Sequence, residues 1–563
     1  MLLSRAQGVE TADALLPRHN QMSDACGWLV PAQNDAPDFG PAGVCSALDR
    51  PHDPVWLIEA AGGDRKRPGL AFSGRITCTP DTGAYPIRAM LPPIHAEWLG
   101  DRTFCEEHGT RFPYVTGAMA TGIASVDLVC AASRAGFLAF YGTGGLEIEQ
   151  VERGIEAIAR RLADTPGAAW GANLIHSPDR PGLEDALVDL YLARGVGRVE
   201  ASAFMALSPA VVRFATAGLR GDAQGRIHRP HRVMAKISRP EVARHFLQPP
   251  PADLLAELVR RGAITLDESR LAALLPVADD VTCEADSGGH TDRRPLSALL
   301  PLIRRQRDAL SPPAGWPRPL RIGAAGGLGD PAAVAAAFAL GADYVVTGSV
   351  NQLACESGTS DLARAMLAEA GLADVTMAPA ADMFELGVEV QVLRRGTLFA
   401  PRARRLFELY RACDGIEALP RDVRARIERE IFRADLDDIW RQCESFWSAR
   451  QPAELDRAAR DPRHRMALVF RWYLGQSTRW AREGVADRQQ DFQIWCGPAI
   501  GAVNAWTAGS ALADPARRTV AGIGLNLLAG AVRVTRAQQL RAAGVAIPDL
   551  ALRHSPASLE AFA

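Results

Sequence analysis

The chain has 563 residues, of which 48% are hydrophobic and 23% charged, the balance of a globular protein with a large folded core. Its 63 basic and 65 acidic residues leave a net charge of -2, which excludes the basic surplus typical of nucleic-acid-binding proteins. The predicted elements begin with residues 1–105, where glycine, proline and aspartate separate short apolar runs. We interpret this segment as an N-terminal extension of loops and short strands.

Residues 106–352 alternate short apolar runs with amphipathic stretches of helical length. Buried parallel strands have this pattern, because helices cover both faces of the sheet. Eight such strands are predicted, at Tyr114–Ala118, Phe137–Tyr141, Ala169–Leu174, Gly197–Ala201, Arg232–Ile237, Asp280–Ala285, Leu320–Ala324 and Asp343–Thr347. Eight strand–helix units over about 240 residues predict an α/β fold, the (β/α)8 TIM barrel.

After residue 352 the strand pattern fades and helical patterns dominate. We predict a helical lid or substrate-binding region at 353–480 and a C-terminal helical segment at 481–563 that packs on the barrel. Six of the eleven tryptophans lie between Trp440 and Trp506. They belong either to the core of a helical domain or to a lid that receives a bulky substrate.

The ten cysteines are widely spaced and include no Cys-x-x-Cys pair, so no zinc-ligand spacing occurs and reduced thiols are expected. The first residues lack the apolar run of a signal peptide. No apolar run reaches the roughly 18 residues that span a membrane. We therefore expect a cytoplasmic protein without a membrane segment.

The candidate site lies at the carboxyl ends of the predicted strands, where (β/α)8 barrels hold their active sites. The small residues of Gly117–Ser125, after the first strand, let a flat ring approach the backbone, although ordinary turns share this composition. Glycine-rich turns follow the seventh and eighth strands, the usual phosphate site of this barrel. Either turn alone is typical of a tight bend, but together they predict a phosphate site.

Three polar side chains follow other strands. His290 comes after a Gly-Gly pair at the sixth strand, and an imidazole of ordinary pKa near 6.5 is either an acid–base catalyst or a structural histidine. Asn173 ends the third strand and offers its amide to a heterocycle edge, or else forms a cap. Lys236 ends the fifth strand and either stabilises negative charge on a ring or extends to the surface. The sequence contains no Rossmann, HExxH, GxSxG or P-loop motif.

Several runs resemble flavin barrels. Gly117–Ala124, Asp286–Asp292, Ala324–Gly329 and Gly341–Ser349 are similar to nitronate monooxygenases and FMN-dependent enoyl-acyl-carrier reductases. Longer runs resemble the PfaD family, the trans-acting enoyl reductases of polyketide and polyunsaturated fatty-acid synthases; they are Pro92–Pro93, Trp98–Asp101, Phe112–Gly117, Ala235–Pro240, Arg471–Gly475 and Asp491–Pro498. The chain has Gly117-Ala118-Met119 where the related monooxygenases and reductases often carry Ala-Pro-Met, and it has Asp286-Ser287 before the Gly-Gly-His. Together these two departures favour the synthase-associated reductases over the monooxygenases.

The resemblance implies FMN at the barrel opening. Its phosphate would lie on Gly326, Gly327, Gly348 and Ser349, and its ring on Gly117, Ala118 and Met119. Asn173 and Lys236 would contact the polar edge of the ring, Gly288 and Gly289 would also bind the cofactor, and His290 would be the catalytic proton donor.

The implied function is reduction of α,β-unsaturated acyl thioesters by NADPH or NADH through FMN. The substrate would be carried by acyl carrier protein domains of a polyketide or fatty-acid synthase, which the helical region would receive. A homodimer is compatible with the sequence. The alternatives are a nitronate monooxygenase-type flavin oxygenase and a synthase-associated barrel subunit without catalytic activity.

Overall fold

A computed structural model describes residues 27–33, 35–60, 68–177, 180, 182–310 and 320–562. The chain divides into two compact units, one comprising the residues up to Ile94 with Arg536–Leu552, the other His95–Thr535 with Arg553–Ala563. The four-part division predicted from the sequence stays a prediction, although this grouping assigns residues 536–552 to the unit of the N-terminal extension. No helix in the described stretches is long and apolar enough to cross a membrane.

The smaller unit contains a five-stranded antiparallel sheet with the order β3-β2-β5-β1-β4. Its elements are β1 (Trp28–Pro31), α1 (Pro41–Asp49), β2 (Val55–Ile58), β3 (Gly69–Ala71), β4 (Gly74–Thr77) and β5 (Tyr85–Leu91). Ala537 and Leu540, from the end of the last long helix, share a hydrophobic core with this sheet. The buried Arg536 donates to the carbonyls of Pro51 and Pro92, which ties the helix end to the loops of the sheet.

Eight parallel strands close into a barrel in the larger unit. They are β6 (Tyr114–Thr116), β7 (Leu138–Tyr141), β8 (Trp170–Ile175), β9 (Arg198–Ser202), β12 (Arg232–Ile237), β13 (Asp280–Glu284), β15 (Arg321–Ala325) and β16 (Val345–Thr347). Outside the barrel, β10 (Arg220–Gly221) and β11 (Ile227–His228) form a hairpin, and β14 (Gly289–His290) follows β13. The predicted barrel and its eight predicted strands are confirmed, with ends that differ by a residue or two.

Helices surround the strands and bury one apolar side each. They are α2 (Arg102–His108), α3 (Val126–Arg134), α4 (Ile148–Arg161), α5 (Leu183–Ala193), α6 (Pro209–Thr216), α7 (Pro240–Leu247), α8 (Ala252–Arg260), α9 (Leu266–Ala272), α10 (Leu296–Asp308) and α11 (Pro331–Ala339). In α4, Val151, Ile155 and Ile158 are buried at the three- and four-residue spacing of one helix face. Ser125 caps α3 by accepting the Leu128 N–H.

A helical region follows the barrel and lies in the same unit, except for the end of its last helix from Arg536 onward. Its helices are α12 (Asp361–Ala368), α13 (Phe399–Ala412), α14 (Arg421–Ile427), α15 (Leu436–Arg450), α16 (Pro452–Arg460), α17 (Pro462–Glu483), α18 (Ala499–Thr507) and α19 (Val520–Ala542). A second hydrophobic core fills its centre, and Trp440, Trp447 and Trp472 pack partly buried against it. This packing favours the core interpretation of the tryptophans.

The region after residue 352 also contains two strands, which the local sequence pattern does not indicate. They are β17 (Val375–Pro379) and β18 (Glu389–Leu393), and β18 pairs with both β17 and β14. The sheet order is therefore β14-β18-β17. A local pattern does not predict a pairing between residues a hundred positions apart, which depends on the packing of the helical region on the barrel.

Candidate active site at the barrel mouth

We call the carboxyl ends of the eight barrel strands, with the residues that follow them, the barrel mouth. Gly117, directly after β6, donates its N–H to Thr347 O at 2.9 Å. A Cβ at Gly117 would lie 2.9 Å from Val346 Cγ1 and 3.3 Å from Glu200 Oε1, so a larger residue would crowd both. Ala118 donates its N–H to Glu200 Oε2 at 2.8 Å. The small residues after β6 therefore let the chain pass close to a buried carboxyl.

Met119 is held by its main chain. Its carbonyl accepts the Ala124 N–H at 3.1 Å, and a Cβ at Gly142 would lie only 1.8 Å from that carbonyl oxygen. Its side chain packs partly buried against the main hydrophobic core. The turn after β6 thus has a fixed course.

Three charged side chains meet inside the mouth. Lys236 on β12 is 13% exposed, and its Nζ lies 3.0 Å from Glu284 Oε1 on β13. Burial alone would lower the pKa of the Lys236 ammonium, but the carboxylates of Glu284 and Glu200 raise it above its usual value. Lys236 therefore stays cationic in the barrel interior, and the surface interpretation of this residue is wrong.

Glu200 on β9 is fully buried. Burial raises its pKa to about 7, although Lys236 and the Ala118 N–H act in the opposite direction. Sequence reasoning missed both Glu200 and Glu284. The available signal was a carboxylate next to the carboxyl end of each of two predicted barrel strands, Gly197–Ala201 and Asp280–Ala285.

Asn173 on β8 is also buried. Its Nδ2 donates to Glu200 O at 2.8 Å and to Ser202 Oγ at 3.0 Å, so the amide nitrogen links β8 to β9. Its main-chain carbonyl accepts the Thr143 and Tyr191 hydroxyls. These bonds place Asn173 beside Glu200.

The two glycine-rich turns lie beside each other, because β15 and β16 pair in the barrel. Gly326 has φ +92° and approaches the loop after β13, since a Cβ there would lie 2.7 Å from the Ala285 carbonyl carbon. An added Cβ at Gly327 (φ +72°) or Gly348 would have no atom of the described residues within 4 Å. The backbone therefore borders open space at both turns, as an anion site of main-chain N–H groups requires. Ser349 Oγ accepts the Gly497 N–H at 2.9 Å.

The loop after β13 joins the barrel to the helical region. A Cβ at Gly288 would lie 2.7 Å from Cys496 Cα, so Gly288 serves a backbone contact. Gly289 has φ +78° and lies against the Trp495 ring. His290 is in register with Val390 of β18 and is 34% exposed at its side chain. His290 therefore lies next to the helical region, because its strand pairs with β18.

The segment 491–498 covers this side of the mouth. Besides the Gly288 and Ser349 contacts, the Trp495 carbonyl accepts Gln352 Nε2 at 2.6 Å. Asp491, at the start of the segment, is fully buried and accepts the Tyr473 hydroxyl at 2.8 Å. Arg402 also forms an ion pair with Asp491, so its charge is paired within the protein. The PfaD-like run therefore fixes the helical region on the barrel.

Whether the mouth fits a flavin is tested by its buried polar atoms. Several of them lack a hydrogen-bond partner within the described residues, among them Thr116 Oγ1, Glu200 Oε1, Asp286 Oδ1 and Ser287 Oγ. Buried polar atoms are normally paired, so such a group marks a place where a ligand or water completes the bonding. Together with the Lys236 cation and the two open turns, these atoms fit a planar ring with a polar edge and an anionic phosphate.

A cavity of about 280 Å³ lies elsewhere in the barrel. It is lined by residues that precede β6, β7 and β8, among them Arg111, Arg134 and Gly167. These strands begin at the opposite end from the mouth, which is the end associated with stability in this fold. We therefore assign the chemistry to the mouth.

Two sequence models of known families match the chain. That of the nitronate monooxygenases matches residues 103–399, more than half of the chain. That of the inserted helical domain of acyl-carrier-protein S-malonyltransferase matches residues 413–492, inside the helical region.

Curated relatives come from lipid and polyketide synthesis. The chain is 46% identical over 79% of its length to a polyunsaturated fatty acid synthase subunit of Thraustochytrium sp., of which it covers 30%. It is 43% identical over 81% of its length to polyketide biosynthesis protein ThaF of Burkholderia thailandensis, covering 39% of that protein. Polyketide biosynthesis protein PksE of Bacillus subtilis is 41% identical over 77% of the chain, which covers 56% of it. The chain thus spans from under a third to just over half of these relatives.

Among solved structures, the enoyl reductase domain of MlnA from the macrolactin biosynthesis cluster of Bacillus amyloliquefaciens is 34% identical, with a TM-score of 0.75. The match covers 80% of this chain and 100% of that domain. Fold and mouth together define the class, a (β/α)8 barrel related to the nitronate monooxygenases. Within that class, the chain belongs to the PfaD family of synthase-associated barrels, and the resemblance seen in the sequence is confirmed.

Proposed function

We propose that this protein is an FMN-dependent, NAD(P)H-consuming enoyl reductase. It would act in trans on α,β-unsaturated acyl thioesters that an acyl carrier protein delivers during polyketide or polyunsaturated fatty-acid synthesis. The observation that carries the proposal is the 34% identity to the MlnA enoyl reductase domain over the whole of that domain. The polar atoms and open turns of the mouth supply the matching chemistry.

In this proposal, Gly326, Gly327, Gly348 and Ser349 hold the FMN phosphate, and Gly117, Ala118 and Met119 lie along the ring. Lys236 provides a fixed positive charge beside the polar edge, and Asn173 offers its amide oxygen there. Gly288 and Gly289 shape this side of the site through their contacts with residues 495 and 496. When bound, FMN supplies the hydride transfer from the nicotinamide to the β-carbon of the substrate.

His290 is the proposed donor of the proton that the α-carbon receives. Its side chain is partly exposed at the mouth, and Nε2 lies 3.3 Å from Asp382 Oδ1. Trp495 packs edge-on to the imidazole with 6.4 Å between ring centres. These two neighbours limit the rotation of the imidazole, as a group that delivers a proton in one direction requires.

The helical region is the proposed receiver of the carrier protein and its acyl arm. Two observations support this role: its match to a helical domain of an acyl-carrier-protein transferase, and its attachment to the mouth through β14 and residues 495–497. The choice between NADPH and NADH and the homodimer stay predictions.

The visible absorbance of the purified protein tests the proposal. We expect a flavin band that bleaches under anaerobic NADPH and returns when a crotonyl thioester is added. A protein that binds no flavin after incubation with FMN would overturn the proposal.

The second candidate is a nitronate monooxygenase, favoured by the family model that covers residues 103–399. Oxygen uptake with a nitroalkane distinguishes it. A flavin that returns only with air, together with nitroalkane-dependent oxygen uptake, would replace the reductase by the monooxygenase. A protein that keeps its flavin but responds to neither substrate would favour the synthase-associated barrel without catalytic activity.

A further inference from the structure

Glu200 is a buried carboxyl in which one oxygen accepts a hydrogen bond from the described residues and the other does not. Oε2 accepts the Ala118 N–H at 2.8 Å, whereas Oε1 has no hydrogen-bond partner within the described residues. Oε1 is also the oxygen that a Cβ at Gly117 would approach to 3.3 Å. Oε1 therefore faces the turn after β6, along which we place the cofactor ring.

The charges around Glu200 come from two neighbouring strands. Lys236 of β12 and Glu284 of β13 form an ion pair that is close to neutral as a unit. From β8, Asn173 donates to the main-chain carbonyl of Glu200, and the turn after β6 gives the Ala118 N–H. An ionised Glu200 therefore adds one net negative charge to the site, and a protonated Glu200 adds none.

That charge matters when the ring changes oxidation state. A ring that has received a hydride carries negative charge, and a second negative charge at close range on the buried Glu200 would repel it. Burial already brings the pKa of Glu200 to about 7, so a nearby negative charge raises the pKa further. Near neutral pH, the negative charge that the ring gains on reduction is then enough to protonate Glu200.

We propose that Glu200 holds the compensating proton of the cofactor site, taking one from solvent when bound FMN is reduced and returning it when FMN is reoxidised. This inference rests on the proposed function. The hydride brings two electrons and one hydrogen to the ring, and the solvent proton forms a new O–H bond on Glu200. On reoxidation the hydride leaves for the substrate, and that O–H bond breaks to return the proton to solvent.

The test is the number of protons taken up on anaerobic reduction of the FMN-loaded protein, followed with a pH-indicator dye between pH 6 and pH 8.5. For wild type we expect uptake per flavin to rise above pH 7, by up to one proton. In Glu200→Gln, which keeps the shape but cannot ionise, we expect no rise. The ionisation of the ring itself changes uptake in the opposite direction, because a ring that loses its own proton at higher pH takes up fewer.

The midpoint potential gives a second readout. One additional proton changes the oxidised-to-reduced ratio tenfold per pH unit, which is 29.6 mV for a two-electron couple. The potentials of wild type and Glu200→Gln should therefore agree at pH 6 and separate above pH 7, with wild type lower. Glu152→Gln, at a partly exposed glutamate of α4 paired with Arg194, is the matched control and should follow wild type.

The outcomes separate this inference from the function on which it rests. Failure to bind FMN would overturn the proposed function. Bound FMN with equal proton uptake in wild type and Glu200→Gln at pH 8 would overturn the role of Glu200 alone. If Glu200→Gln does not fold, the wild-type measurement decides, because uptake that does not rise above pH 7 contradicts the inference.

Discussion

Nε2 of His290 lies 3.3 Å from Oδ1 of Asp382, a residue between β17 and β18 of the helical region. The barrel loop that carries the proposed proton donor is thus held by a side chain almost a hundred positions later. Burial acts to raise the pKa of Asp382, but His290 and the main-chain N–H groups of Asp382 and Met383 lower it below its usual value, so Asp382 stays ionised beside the imidazole. The helical region therefore helps to build the site that it covers.

Replacing His290 should separate the two half-reactions. In His290→Ala we expect FMN to stay bound and NADPH to reduce it at the wild-type rate, because no proton is delivered to a substrate in that step. Reoxidation by a crotonyl thioester should slow by about 10²-fold or more, the usual contribution of a positioned acid. Stopped-flow absorbance measures both rates.

The control for this variant is His228→Ala, at an exposed histidine of the β10–β11 hairpin that pairs with Asp222. It should match wild type in both half-reactions. Unchanged reoxidation in His290→Ala would assign the proton to water or to another group.

The two glycine turns should respond differently to an added methyl group. At Gly348 a Cβ meets no atom of the described residues within 4 Å, so Gly348→Ala should fold normally. Its methyl group would occupy the proposed phosphate position, and we expect roughly a tenfold loss of affinity for FMN with little change for riboflavin, which has no phosphate. Fluorescence titration of the apoprotein measures both affinities, and an equal loss for the two ligands would contradict the phosphate assignment.

Gly326→Ala is the structural counterpart. This residue has φ +92°, and its Cβ would lie 2.7 Å from the Ala285 carbonyl carbon, so the variant is strained by conformation and by contact. We expect a loss of about 1–3 kcal/mol in the free energy of unfolding, measured with urea in the absence of FMN. A stability equal to that of Gly348→Ala would show that the β13 and β15 turns relax more easily than their packing indicates.

Lys236→Met should weaken FMN binding at least tenfold, because the fixed cation beside the polar edge of the ring is lost. The loss should be larger at pH 8 than at pH 6. Without Lys236 the pKa of Glu200 rises above its value of about 7, so Glu200 ionises only as the pH increases further, and Glu200 and Glu284 then share the site without a cation. Titrations at both pH values measure the effect, with Arg161→Met on the outer face of α4 as control. Equal losses at the two pH values would show that Glu200 does not contribute to the effect of Lys236 on FMN binding.

Asp280 provides a test of stability at the end of the barrel opposite the mouth. Its carboxylate lies 2.8 Å from His108 Nε2 and 2.5 Å from Arg321 Nε, and all three side chains are buried. Burial raises the pKa of Asp280, but Arg321 and His108 lower it to well below its usual range. Asp280→Asn should therefore cost about 3–5 kcal/mol at pH 7, because the buried Arg321 loses its buried carboxylate partner and keeps only the partly exposed Glu107.

The pH dependence of that loss follows from the sign of the shift. A carboxyl with a depressed pKa in the folded state stabilises the protein fully above its unfolded pKa of about 3.9 and loses this effect as the pH falls below it. The difference between wild type and Asp280→Asn should therefore be constant from pH 6 to pH 8 and shrink below about pH 4. A difference that grows on acidification would show that the ion pair does not stabilise the fold.

The barrel could be predicted from the sequence because each of its strands and helices carries a local pattern. A strand such as β7 is buried along its whole length and forms one apolar run in the sequence, and α4 shows its buried face at helical spacing. Glycine residues identify the turns after β15 and β16 in the sequence. These signals depend on near neighbours in the chain, so the sequence by itself determined the fold class and the end of the barrel at which to place the site.

Tertiary structure decided which side chains share that site. Glu200, Lys236 and Glu284 stand on three strands and meet because the closed barrel turns them to its interior. The pairing of β14 with β18 and the contact of Gly288 with Cys496 join segments that no local pattern connects. Which distant residues meet is fixed by packing, and packing also moves a carboxyl pKa towards 7, because burial removes the water that would otherwise stabilise its charge.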